Sequence, residues 1–402
     1  MRRTLSWAGL FFVCATYAAA PKPVPMKPAS KAQWQEDVDY FAREIVKRHA
    51  NAFHAVTREQ FAAAIAALKA NIATASDDEI LVGVMKLAAM IGDGHTGVHL
   101  PSNIHQFPIT IVRIEGVYRV ARAAGSAGPL VGGRLTRVDD TPLDETVTRI
   151  HSVLAQDESE VFLTAFTPVW FSIAEVLHGL RITSSAATAR FTVTMDDGSE
   201  KTANVEAIEM TAKPQWQTAA RTIPLYRQRP EEGFSYTWLE DTKTVYVNFR
   251  RYDDLRARSR ELWSFVDSHP VQRIAVDLRQ NGGGDFNVGR KYLVDELARR
   301  PKVHPYVIIG PRTFSAALKN AIDFRTVAHA TLVGEPIGER PNSYSENDEM
   351  RLPHTGLVIS YSTKYYKFLP DDGLVTPDQR IEQNWADWLE GRDPVLEWII
   401  KQ

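Results

Sequence analysis

Ser315 stands where a buried strand would hand over to a helix, in the run YVIIGPRTFSAALKNAI (306–322). A serine in the first turn of a helix has free backbone N–H groups and the positive end of the helix dipole beside it. The N–H of Ala316 can then hold an oxyanion formed when the Ser315 hydroxyl attacks a carbonyl. Serine is also a common helix cap, so this residue alone leaves two readings, nucleophile or cap. NGGG (281–284) follows the apolar run RIAVDLRQ. Glycines after a buried strand allow close backbone approach. A glycine N–H there, that of Gly283, is a natural second oxyanion donor, and a plain turn is the alternative. His95, between Gly94 and Thr96, follows the end of an expected helix and is poorly placed for a core role. Neutral histidine suits a general base. His105, His178, His304, His329 and His354 have no such context and read as structural or surface residues.

Other chemistries have no support in the pattern. No HExxH or comparable ligand spacing occurs, so neither a metal nor another cofactor is expected. No phosphate-cradling glycine motif is present. The net charge of -2 gives no reason to expect nucleic acid as a partner. The single cysteine, Cys14, falls in an N-terminal segment that reads as an export signal. Arg2 and Arg3 precede the apolar run 5–17, and Ala18-Ala19-Ala20 offers a cleavage zone. The apolar run is too short for a stable membrane span. The mature protein would lack cysteine, which removes disulfides and a thiol nucleophile. Its compartment would be the periplasm or the medium.

These groups need elements to position them. At 402 residues the chain exceeds what one core usually serves. After the signal (1–20), PKPVPMKPA (21–29) reads as a flexible leader. Residues 30–100 read as a helical bundle. Trp34, Val38, Phe41 and Ile45 share one face, as do Phe61, Ile65, Leu68 and Ile72, and Ile80, Val84, Leu87 and Ile91. Thr57 with Gln60 and Ser76 with Glu79 form capping-box patterns. Residues 101–210 read as β-rich with a helical insertion, including a hairpin that turns at Asp197-Gly198. From 211 to 402 strands alternate with helices, which implies a largely parallel sheet.

Six collinear segments carry a family resemblance: GDGHT (92–96), TVYVNFRRYDD (244–254), IAVDLRQNGGGD (274–285), RTFSAALKNAI (312–322), LVGEPIGERPNSYSE (332–346) and PDDGLVTPDQRIE (370–382). Together they resemble the tail-specific (C-terminal processing) serine peptidase superfamily, which also holds the tricorn core and the interphotoreceptor retinoid-binding protein. The resemblance implies a ClpP/crotonase-like α/β catalytic core with an N-terminal helical bundle and a PDZ-like β-rich domain. It implies polypeptide substrates, Ser315 as nucleophile and often an oligomer. The common members pair their serine with a lysine shortly after the GEP motif. Arg340 falls there, and arginine stays protonated, so it cannot be the base. Arg340 would instead bind a substrate carboxylate or brace the loop. The tricorn arrangement takes its histidine from the N-terminal region, which His95 matches, and an acidic residue from nearer the C-terminus. Asp371 fits that order, and Glu346 is the competing choice. Tricorn's helper serine next to its histidine is replaced by Gly94. Two further readings are a catalytically inactive binder of apolar ligands on the same fold, as in the retinoid-binding relatives, and an esterase.

Overall fold

A computed structural model describes residues 24–402. The expected export signal and Cys14 lie outside the described residues. The chain divides into two compact units, one of 24–219 with Asn342–Lys367, the other of Ala220–Pro341 with Phe368–Gln402.

The first unit opens with helices Lys31–Arg48, Arg58–Asn71 and Asp77–Ala89. Both expected capping boxes are present, and Ser30 with Gln33 adds a third. The apolar faces at Trp34, Val38, Phe41 and Ile45 and at Ile80, Val84, Leu87 and Ile91 are buried. Within the second helix the stripe is less complete: Phe61 is buried, Ile65 and Leu68 are half-buried, and Ile72 lies just past the helix end. Next comes a seven-stranded sheet around Val117–Ala124, Arg134–Val138, Thr188–Thr194 and Glu200–Glu206. The hairpin turns at Gly198, whose φ of 83° is open to glycine. Helices Leu143–His151, Glu160–Trp170 and Ala174–Gly179 are inserted between its strands.

A feature without a sequence signal completes this unit. Asn342–Arg351 and Val358–Lys367 form a long antiparallel hairpin that pairs with the short strand Gly97–Val98. The sequence alone extends the α/β core through these residues. They join the first unit instead, because their contacts are there. Asp37, fully buried, accepts from the backbone N–H of His354 and Thr355 and from the Thr355 hydroxyl. Ser362 Oγ donates to Asp93 Oδ1 at 2.6 Å.

The second unit is a six-stranded sheet in the order Phe234–Leu239, Thr244–Phe249, Arg273–Asp277, His304–Ile309, Thr331–Gly334, Gln379–Arg380. The first pair is antiparallel and the rest are parallel. Both faces are covered, as crossover connections require. Val245, Val247, Ile274, Val276, Val307 and Ile309 belong to one core, which includes residues of helices Leu255–Ser268 and Ala316–Val327. Tyr246, Ala275, Ile308 and Val333 belong to the opposite core with Val395, Leu396 and Ile399 of the last helix. That last helix is also fixed by charge. Arg279 bonds Asp277 Oδ2 and Asp393 Oδ2, each at 2.6 Å. Burial alone would depress the Arg279 guanidinium, but the two carboxylates hold it well above its ordinary value.

Candidate active site

Ser315 lies at the C-terminal end of a central strand of the parallel sheet, where open α/β sheets place ligands. The strand His304–Ile309 ends at Gly310, and a tight turn follows. Thr313 pins it: its N–H donates to Gly310 O at 3.0 Å, and its hydroxyl donates to Leu278 O at 2.9 Å while accepting from Gly310 N–H at 3.1 Å. Phe314 N–H then donates to Asn281 O at 3.0 Å, which ties this turn to the NGGG loop. The helix Ala316–Val327 starts on the next turn with Ser315 at its cap position.

Ser315 does not act as a cap. Its side chain makes no capping hydrogen bond, and its backbone sits at φ 56° and ψ -122°. Positive φ is costly for a residue with a Cβ, and such strain concentrates at functional sites. Its side chain is half-buried.

Gly283 packs directly against this serine. It has φ 111°, and a Cβ placed on it would lie 2.6 Å from Ser315 Cβ, 3.1 Å from Ser315 Oγ and 3.2 Å from the Ala316 nitrogen. Only a glycine leaves that space open. The N–H that the sequence assigned to an oxyanion donates here to Asn281 Oδ1 at 2.9 Å. Asn281 is fully buried and also donates from Nδ2 to Phe249 O at 3.0 Å, so it clamps the loop from inside. The backbone N–H of Ser315 is likewise engaged. It donates to the carboxylate of Glu339, a buried residue that sequence reasoning passed over. Arg340, next to it, is half-buried. Asp371 is exposed, and its Oδ1 accepts the N–H of Gly373 at 3.0 Å in a local turn.

His95 belongs to the other unit, in the loop between the third helix and the strand Gly97–Val98. Asp93 organises this loop. Its carboxylate accepts from His95 N–H at 3.1 Å, Thr96 Oγ1 at 3.0 Å and Ser362 Oγ at 2.6 Å, and it pairs with His49 Nε2 at 2.9 Å. The His95 ring is buried, and its Nε2 lies 3.1 Å from Ser345 Oγ on the long hairpin. Burial pushes the imidazole down to about 4, against the pull of the Asp93 and Glu346 carboxylates and of the Tyr344 backbone. His95 is therefore neutral near pH 7, the state a general base requires. Glu346 lies on the hairpin between Ser345, which pairs Lys364, and Asn347, which pairs Ser362; the register is kept across it, and its backbone sits at φ 53°. Its carboxylate accepts from the Tyr366 hydroxyl.

Within the first unit the structure thus brings together His95, Ser345 and Glu346, and within the second Ser315, Ala316, Gly283 and Glu339. Ser345 carries no signal of this role in the sequence, although its neighbour Glu346 does. A hydroxyl on the histidine is supplied from the hairpin instead of from position 94. His105, His178 and His354 pair with Glu175, Asp78 and Glu36. Among the described residues no group of three or more acidic, histidine or cysteine side chains is placed to hold a metal, and no helix is long and apolar enough to cross a membrane.

No protein-family model and no curated protein sequence matches this chain. Solved structures do. Mature CPAF complexed with lactacystin superposes with a TM-score of 0.62, over 92% of this chain and 98% of that chain, at 11% identity. A second structure of mature CPAF gives 0.59 over 92% and 97%, at 10% identity. At such identity the likeness is one of fold, and it bears out the α/β class expected from the sequence: this chain has the fold of mature CPAF.

Proposed function

We propose that the chain is an exported serine-type peptidase that cleaves polypeptides through an acyl-enzyme on Ser315. One observation carries this reading. Ser315 is held at positive φ at a helix start, uncommitted to capping, against a glycine that leaves its hydroxyl room. Export rests on the N-terminal residues of the sequence alone.

In this mechanism the Ser315 oxygen attacks the carbonyl carbon of the scissile peptide. His95 takes the hydroxyl proton. The N–H of Ala316, beside the helix dipole, stabilises the oxyanion. Collapse of the tetrahedral intermediate breaks the C–N bond, and His95 returns the proton to the leaving amine. Water, deprotonated by His95, then hydrolyses the ester. Gly283 enters for its missing side chain, since its N–H is spent on Asn281. Glu346 is the favoured acidic partner because its charge acts on His95, whereas Asp371 is occupied in an exposed turn. Arg340 is assigned to the carboxylate of the substrate.

Labelling with a serine-reactive fluorophosphonate, read by peptide mapping, tests the proposal. Modification at Ser315 is expected, with loss of labelling and of proteome-wide cleavage in Ser315→Ala. Undiminished cleavage by Ser315→Ala would end the peptidase reading, and absence of any labelling would favour a binding protein.

A further inference from the structure

The conformation of Ser315 is not one that its own backbone prefers. Values of φ 56° and ψ -122° persist only when the surroundings over-determine them. Of the contacts around the residue, three bear on its entry into the helix. Phe314 N–H is fixed on Asn281 O, and Gly283 gives way on one side. The third is the bond from Ser315 N–H to the Glu339 carboxylate.

Glu339 is 3% exposed. A carboxylate is seldom buried without strong partners. Its loop is fastened just ahead of it, where Ile337 N–H donates to Val375 O at 3.0 Å and Gly338 N–H to Pro311 O at 3.2 Å. Pro311 belongs to the turn that leads into Ser315, so this bond ties the loop to the turn. The carboxylate also meets the positive end of the Ala316–Val327 helix, which favours an anion there.

We propose that Glu339 is a positioning residue for Ser315, whose carboxylate oxygen accepts the Ser315 N–H and holds the serine in its strained, non-capping conformation. The inference rests on Ser315 being the nucleophile. It requires an acceptor oxygen at the end of a glutamate-length side chain. The negative charge itself is secondary.

Two variants of the full chain separate reach from charge. Glu339→Gln keeps an oxygen at the same place. Glu339→Asp keeps the charge and withdraws the oxygen by one methylene. With the fluorophosphonate probe, Glu339→Asp is expected to slow the covalent step by about 100-fold, the scale of a displacement near 1 Å, with probe affinity and melting temperature nearly unchanged. Glu339→Gln is expected to label within about tenfold of the parent. Wild-type labelling by Glu339→Asp, or Glu339→Gln as slow as Glu339→Asp, overturns the inference. Labelling that survives in Ser315→Ala sinks the nucleophile assignment first, so the two failures are told apart.

Discussion

Adding one methyl group at Gly283 should disable the serine without unfolding the protein. The Cβ of Gly283→Ala would begin 2.6 Å from Ser315 Cβ. Ordinary carbon contacts are about 3.5–4.0 Å, so roughly 1 Å must be found by moving the loop or the serine. The loop cannot yield freely, because Asn281 holds it through Gly283 N–H and Phe249 O. The serine therefore moves, and a shift near 1 Å costs about 100-fold in rate. Alanine at φ 111° adds backbone strain of about 1–3 kcal/mol. Gly284 supplies the control. It has φ 151°, and its Cβ would lie 2.5 Å from Tyr252 Cδ2, not against the serine. Gly284→Ala should therefore lose comparable stability while keeping much more of its labelling rate. The assay is fluorophosphonate labelling kinetics beside a thermal melt for each variant. Equal loss of labelling in both variants, or wild-type labelling in a folded Gly283→Ala, would refute the claim that Gly283 exists to make room for Ser315.

Two further outcomes follow from charge. The folded His95 titrates near 4 against an ordinary value of 6.5, so well above 6.5 it is neutral in both states and contributes no pH dependence. As pH falls below that, the unfolded chain binds a proton the folded chain refuses, and stability is lost until the folded group titrates. Between about pH 7 and pH 5 the loss should approach about 2 kcal/mol, absent in His95→Gln, and urea midpoints that shift equally for both proteins would contradict it. Arg279→Leu leaves the carboxylates of Asp277 and Asp393 buried without their cation, so a destabilisation of about 3–5 kcal/mol is expected. A urea midpoint unmoved by that change would show that the cluster does not hold the last helix.

What the sequence made legible was what repeats. Trp34, Val38, Phe41 and Ile45 announce a helix because each is apolar and all share one face. Val245, Val247 and Phe249 announce a strand in the same way. The hairpin Asn342–Arg351 and Val358–Lys367 announced nothing. Its first strand, NSYSENDEMR, is almost wholly polar. Its attachment comes from Asp37 and Asp93, far away in sequence. Phe286 to Arg299 reads as one helix, and the period is kept, but a π turn at Arg290–Val294 inside it has no local signature. The site shows the same division. Ser315, His95 and the glycines were visible as residue types between elements. Glu339 and Ser345 were not, because each is a polar residue in a polar run whose role is set by a partner. The positive φ of Ser315 was hidden as well, since serine has no propensity for it.

Two features of this protein cost stability where a purely structural chain would avoid the cost. A position at φ 56° is relieved by glycine, yet residue 315 is serine. A ring buried deeply enough to titrate near 4 is more cheaply replaced by an apolar side chain, yet residue 95 is histidine. Each cost is met by dedicated neighbours. Glu339 and Asn281 brace the segment around the serine, and Asp93 and Ser345 brace the histidine. Local rules broken at some expense, and then supported, are what a working site leaves in a fold. The peptidase reading gives both the same reason, a hydroxyl not spent on capping and an imidazole kept unprotonated.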